Sequence, residues 1–340
     1  MKLFTGYQHG INLGGWLSQC EHTAEHYDNF ILESDIEKIS KWGLDHIRLP
    51  IDYELLRTDE HSIIEKNYSY IDNCIKWCRK YGLNLVLDLH KTCGFSFDNK
   101  FQPFFECEEL HQRFYDLWVD LAKRYGKYSD FLAFELLNEV VDTNLVDIWN
   151  KIAHNAVVKI REFAPDSKII IGGVLNNSVM WVRSLDMPYD ENIVYTFHFY
   201  EPLIFTHQGA YWIDEMDENF RIPYPYGYDE YIDASKKYLP YDKKTFLEDV
   251  NVPAVDINFF KKSFEDAIKV SEERDVPLYC GEYGVIDRAL CDSVINWYND
   301  ISTVFNENNI SRAAWTYKSK DFGVIDEHYS EISDKIIKML

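Results

Sequence analysis

An eight-stranded (β/α)8 barrel is the fold this sequence predicts, on three observations. Short apolar strand patterns alternate with amphipathic helical patterns nearly from end to end. Several helical patterns stop at a glycine just after an aromatic, as in WCRKYG and LAKRYG, and a strand pattern follows. The length of 340 residues suits one such barrel carrying an insertion. The competing architecture, a doubly wound sheet, lacks its signature: no GxGxxG follows the first strand, and GINLGG has glycines at the wrong spacing.

The strand candidates, in order, are INLGGW (11–16), HIRLPI (46–51), NLVLDLH (84–90), LAFELLNE (132–139), KIIIGG (168–173), IVYTFHFY (193–200), PLYCGEYGV (277–285) and AAWTYK (313–318). Between them run helical patterns such as ESDIEKISKWG, YIDNCIKWCRKYG, HQRFYDLWVDLAKRYG and VDIWNKIAHNAVVKIREFA. One region breaks the rhythm. Residues 201–257, rich in Tyr and Pro, separate the sixth strand from the next helix, NFFKKSFEDAIKV. A connection this long is usually functional or a small subdomain, and in a barrel it lies over the C-terminal face, where active sites form. The Tyr-rich part, 224–241, reads as the core of a small lid. The whole chain, 1–340, reads as one catalytic domain.

Composition narrows the function. A net charge of -22, from 57 acidic against 35 basic residues, repels nucleic acid phosphates and anionic membranes. No run of eighteen apolar residues offers a membrane span. Aromatics at 16% exceed what a core needs and fit a groove that stacks flat apolar faces, as sugar rings offer. The cysteines, Cys20, Cys74, Cys78, Cys93, Cys107, Cys280 and Cys291, are odd in number and form no CxxC pair, which argues against a zinc ribbon. Scattered thiols and an N-terminus, MKLFTGYQHG, without an apolar h-region predict a cytoplasmic setting; the alternative is secretion, if a leader has been removed.

Chemistry in a barrel comes from the C-terminal ends of strands. There the sequence places Arg48, Asp88, His90, Asn138, Glu139, His198, Tyr200, Glu282 and Trp315. Glu139 and Glu282 are the natural pair. Glycoside hydrolysis needs one carboxylic acid to protonate the leaving oxygen and one carboxylate to attack the sugar or activate water. Arg48 and Tyr200 are placed to keep Glu282 ionised, which leaves the proton to Glu139, with His198 tuning it. Glu135, four residues before Glu139, points the same way but ~13 Å deeper at 3.3 Å per residue. It therefore reads as structural, held by donors from neighbouring strands. Asp88 reads as a brace inside the barrel. Strand alternation points Cys280 and Glu282 to the same side, with Cys280 one layer deeper as packing. Trp212 and His207, soon after the sixth strand, are candidates for the groove wall.

Taken in order, RLP, DLH, LLNE, HFY, CGEYG and Trp315 resemble glycoside hydrolase family 5, the cellulase family A. GINLGGW, FELLNEVV and HFYEPLIFTHQGAYW resemble its clostridial endoglucanase C branch. The resemblance runs from INLGGW to WTYKSKDFG. It implies that Glu139 is the acid/base and Glu282 the nucleophile, supported by Arg48 and Tyr200. It further implies that Asn138 binds the sugar 2-hydroxyl, His90 the same sugar, and Trp315 the ring face, with His198 beside Glu139. The implied reaction is endo-acting hydrolysis of β-1,4 bonds in cellulose-like or mixed-linkage β-1,3-1,4-glucan, with retention. Mannan or xyloglucan hydrolysis, or exo action, is the alternative on the same site. The expected partner is a β-glucan polysaccharide or oligosaccharide, acted on by a monomer, with no cofactor, nucleic acid or membrane. One departure is Lys91, where many members carry a second histidine. Two other classes compete. A metal-dependent hydrolase would gather His90, His198, Glu139, Asp88 and Glu282, but INLGGW lacks the paired histidines usual on strand one. A non-catalytic carbohydrate-binding protein would need aromatic platforms and no carboxylate pair.

Overall fold

The computed structural model describes the backbone of residues 1–340 and the side chains of all but residues 241–245. Eight parallel strands close into a barrel: β1 (His9–Asn12), β2 (His46–Asp52), β3 (Asn84–Lys91), β4 (Leu132–Glu135), β5 (Ile169–Gly172), β6 (Ile193–Phe199), β9 (Leu278–Tyr283) and β10 (Ser311–Ala314). A short antiparallel pair, β7 (Tyr226–Gly227) and β8 (Ala254–Val255), lies between β6 and β9 in the chain. The predicted barrel and its strand order are thus present. Several predicted strands ran long: β4 stops at Glu135, not at residue 139, and β1 and β10 begin and end earlier than their patterns suggested.

Helices form the outer layer because their apolar stripes need the barrel wall. The helix Tyr68–Tyr81 buries Ile71, Cys74, Ile75 and Cys78, spaced three and four apart. It ends at Gly82, whose φ of 73° is the left-handed turn that lets the chain double back into β3. Among the described residues no helix is long and apolar enough to cross a membrane.

Inside the barrel, two kinds of layer are stacked. At the N-terminal end Phe4 and Tyr7 plug the opening against Val86, Ala133, Ile170, Val194, Tyr279 and Ala313. Above them the interior turns polar: Asn12, Arg48, Asp88 and Glu135 are all fully buried. Glycines clear space for other polar side chains nearby. A Cβ at Gly10 would overlap the His46 ring, and one at Gly172 would overlap the Asn177 amide.

Two bulges break the register at the C-terminal ends. Ile51 pairs with Leu89 but Asp52 with Lys91, so His90 is the extra residue on β3. Phe197 pairs with Cys280 but His198 with Glu282, so Gly281 is the extra residue on β9. The second bulge corrects the alternation expected from sequence. Tyr279 joins the barrel interior, Cys280 the outer layer, and Gly281 sits against Thr196 and His198 inside. The extra residue re-aims Glu282 inward on the heels of Gly281, so Cys280 and Glu282 face opposite ways.

The connection after β6 carries the helices Leu203–Thr206, Tyr228–Tyr238 and Tyr241–Val250 before the helix Ile257–Arg274. Its Tyr-rich stretch is only partly a core: Tyr226 is exposed and Tyr228 and Tyr238 are half-buried. Tyr224 and Tyr231 are buried, and Tyr224 donates to Asp300 on the helix Cys291–Glu307 at 2.9 Å. The side chain of Tyr241 lies outside the described residues.

Gly10→Ala should cost about 1–3 kcal/mol through overpacking against His46. Urea unfolding checks this, and an unchanged midpoint would show that the His46 layer has slack.

Candidate active site

The site is organised by one side chain. Arg48 rises from β2 into the barrel centre with no solvent exposure, and each of its five N–H groups has an acceptor. Nε and Nη2 hold Glu135 at 2.7 and 3.0 Å. Nη1 reaches Glu282 at 2.7 Å and Asn12 at 2.9 Å, and Nη2 reaches Asn138 at 3.0 Å. The expected support of Glu282 by Arg48 is present, and the donors expected to hold Glu135 come from the same side chain. The chain leaves strand geometry after Glu135, so Glu135 lies one guanidinium away from both Asn138 and Glu282.

Three buried carboxylates surround this one cation, since Asp88 also stands 3.1 Å from Nη2. Burial works against the guanidinium's charge, but Asp88, Glu135 and Glu282 outweigh it and push its pKa up. Burial raises Glu135 against the pull of Arg48, and raises Asp88 to about 7. The hydrogen bonds decide where a proton sits. Glu135 takes two donors, whereas Asp88 Oδ1 has no partner and Oδ2 meets only His90 Nδ1, at 2.7 Å, and the already committed Nη2. Asp88 is therefore the member that keeps a proton up to about pH 7.

Glu282 presents both oxygens as acceptors: Oε1 takes Arg48 Nη1, and Oε2 takes the Tyr200 hydroxyl at 2.8 Å. The Tyr200 hydroxyl is held as a donor because burial, then the charge of Glu282, pushes its pKa up. Glu139 sits at the mouth of β4 with a left-handed φ of 45°, a conformation a glutamate adopts only where its surroundings fix it. They do: Leu136 N bonds Ile170 O, Asn138 N bonds Leu89 O, and Trp118 Nε1 caps Leu136 O. Glu139 Oε1 meets His198 Nδ1 at 2.8 Å. Burial lowers the His198 pKa to about 4, so the ring is neutral at working pH. One atom each of Glu139, His198 and Glu282 lies within 4.8 Å of the others. Hydrogen bonds account for that closeness: Arg48 and Tyr200 fill Glu282, and His198 serves Glu139. Asp88 and His90 are bonded to each other, so the five-residue metal set does not assemble. A second grouping, His22, Asp52 and Glu54, is an ion pair of His22 with Asp52 at 3.3 Å plus a neighbouring carboxylate.

The cleft divides around Glu139. A cavity of about 550 Å³ is lined by His90, Asn138, Glu139, Tyr200, His207, Trp212, Glu282 and Trp315 among others. Trp315 lies parallel to His90, ring centroids 5.7 Å apart, and forms an apolar wall. Asn138 Nδ2 is buried without a partner, a donor aimed at nothing in the protein. His207 and Trp212 both line this cavity, and Trp212 is 43% exposed. An adjoining cavity of about 410 Å³ shares Glu139, Asn176, Tyr200 and Leu203 but not Glu282 or Trp315; Met180, Trp181, Phe246 and Asp249 wall it.

Sequence reasoning missed several contributors. Asn12 bridges Arg48 to the carbonyls of Gly281, Ala313 and Ala314. Gly14 leaves room for the Trp315 indole, which a Cβ would overlap. Asn176 donates to Glu139 Oε2 at 3.3 Å, and Asn177 faces His198 Nε2 at 3.5 Å, both from a turn with left-handed φ at 175–177. The NN dipeptide after KIIIGG was the available signal, since Asn tolerates that conformation.

Comparison with known proteins follows the same lines. The family described as Cellulase (glycosyl hydrolase family 5) matches residues 8–321. The chain is 42% identical over 305 residues to cellodextrinase A of Ruminococcus flavefaciens, covering 89% of this chain and 83% of that protein. It is 39% identical over 342 residues to endoglucanase C of Acetivibrio thermocellus, covering 98% of each. Among solved structures, endoglucanase Cel5A of Thermotoga maritima superposes with a TM-score of 0.77 at 24% identity, over 98% of this chain and 97% of that one, a likeness of fold.

Asp88 makes stability depend on pH with a definite sign. At low pH it is protonated in both states; as pH rises from about 4 the unfolded state ionises first, so this contribution is lost up to about pH 7. Asp88→Asn removes that loss. The stability of the variant relative to wild type should therefore rise between pH ~4 and ~8 in urea titrations; a difference constant with pH would contradict the assignment.

Proposed function

Because the chain belongs to glycosyl hydrolase family 5, we propose that it cleaves β-1,4-glucosidic bonds of cellulose-like or mixed-linkage β-glucan by double displacement with retention. The observation that carries the reading is the close carboxylate pair with unlike partners. Oxygens of Glu139 and Glu282 approach within 4.8 Å, which favours the short spacing of retaining enzymes, ~5–5.5 Å, over the ~6.5–9.5 Å that leaves room for an attacking water. Glu282, an acceptor at both oxygens, attacks the anomeric carbon. Glu139 gives its proton to the departing glycosidic oxygen, then takes one from the water that releases the glycosyl-enzyme.

The two cavities support a division of the substrate. The sugar that is attacked lies in the larger one, on Trp315, with its 2-hydroxyl accepting from Asn138 Nδ2. The leaving sugars lie beyond Glu139, against Trp181 and Met180. Walls on that side come partly from the insertion, through Phe246 and Asp249, which favours short oligosaccharides there. Free thiols at all seven cysteines support a reducing compartment as the setting.

Three measurements test the reading. A 2-deoxy-2-fluoro cellobioside with a good leaving group should label Glu282, and a label elsewhere displaces it as nucleophile. Proton NMR of the first product should show the β anomer; an α product means inversion. Glu139→Gln should lower kcat/KM on unactivated glucan by about 10²–10⁴, and less on aryl cellobiosides that need no acid. Equal losses on both would remove Glu139 from the proton transfer.

A further inference from the structure

We propose that Glu135 is a positioning residue that, by occupying one edge of Arg48, limits how much of the guanidinium's charge reaches Glu282 and thereby sets the basicity of that carboxylate. The inference rests on the reading of Glu282 as nucleophile. Its ground is geometric. Arg48 presents two edges: Nε and Nη2 to Glu135, in a paired contact of 2.7 and 3.0 Å, and Nη1 to Glu282 at 2.7 Å. All three residues are buried, so water does little to screen them. With Asp88 protonated, two carboxylates share one cation, and the group carries a net negative charge. Were Glu282 alone against Arg48, its charge would be fully matched, and a fully matched carboxylate is a weaker base and a weaker nucleophile.

The other groups facing Glu282 are His198 from β6 at 3.7 Å, neutral at working pH, the Tyr200 hydroxyl, which stays protonated, and Glu139 within 4.8 Å. His90 on β3 is also held neutral, chiefly by burial. Around Glu135 the further titratable neighbours are Asp88 on β3, His198 on β6 and Tyr279 on β9, the last kept protonated by burial. Lys320 and Asp321, of opposite sign, also line the cavity with Glu282, and Lys320 bonds the Gln19 carbonyl, so Arg48 is the cation in contact with Glu282. The division of Arg48 between Glu135 and Glu282 is thus the adjustable quantity.

Glu135→Gln keeps the shape and removes the charge. The acidic limb of kcat/KM on an aryl cellobioside should move down by on the order of one pH unit, and the plateau should fall on the order of tenfold. Glu135→Asp keeps the charge at shorter reach. Its acidic limb should stay at the wild-type position even if the plateau drops. A limb that stays put in Glu135→Gln, or that moves equally in both variants, would mean Glu135 only braces the fold and overturns the proposal. If the Gln variant does not fold, Glu135→Asn, which also removes the charge, takes its place and is read by the same two outcomes. Labelling of the wild-type enzyme separates the two layers of inference. A fluoro-sugar on a residue other than Glu282 brings down the mechanism, whereas a label on Glu282 with an unmoved limb brings down the role of Glu135 alone.

Discussion

A single guanidinium in the middle of a protein sets where everything on the catalytic face stands. Arg48 spends its five N–H groups on Asn12 of β1, Glu135 of β4, Asn138 just past β4, and Glu282 of β9. Those acceptors come from distant parts of the chain. Burying one cation among several carboxylates is costly unless every donor is matched, and removing one partner of such a pair typically costs ~3–5 kcal/mol. Folding and function are therefore fastened by the same bonds. The barrel cannot relax around Arg48 without moving Glu282, and Glu282 cannot be repositioned without leaving a buried charge without its partner.

A second constraint is room. A barrel interior is filled by side chains, ordinarily branched aliphatic ones. Here a histidine, an arginine, an aspartate and a glutamate occupy it, and glycines clear space for the histidine and for side chains nearer the rim. Gly10 yields to His46, Gly172 to Asn177, Gly281 to Thr196 and His198, and Gly14 to Trp315. Gly281 serves twice, as the clearance beside His198 and as the extra residue that turns Glu282 inward.

Much of this was legible in the sequence, and what was not has a physical reason. The alternation of elements marked the barrel, and residues at strand ends marked Glu139, Glu282, His90, His198, Tyr200 and Trp315 as candidates that the structure gathers around one cleft, because polar side chains interrupt an apolar pattern. Contacts between distant strands leave no such mark. Nothing in LAFELLNE says that the partner of Glu135 is Arg48, two strands away. Alternation itself misled twice. It assumed extended backbone through residues 136–139, where the chain has already turned, and it carried Cys280 and Glu282 to one side, where a bulge separates them. Asn176 and Asn177 were passed over because a turn's two asparagines look like ordinary loop chemistry until their left-handed backbone places them against Glu139 and His198.

The segment between β6 and the helix Ile257–Arg274 is moored to the helix Cys291–Glu307 along one of that helix's faces. Ser293 and Asn296 bond the backbone of Tyr224, Asp300 takes the Tyr224 hydroxyl, and Trp297 bonds the carbonyl of Glu201. These positions recur every three or four residues, so a single helix face carries all four of these bonds. In recombination among related barrels, the two pieces would behave as one heritable unit. A chimera with crossovers at the ends of the insertion alone would inherit moorings cut for a different helix. One that also exchanged the helix face would carry the shape of the cleft with it.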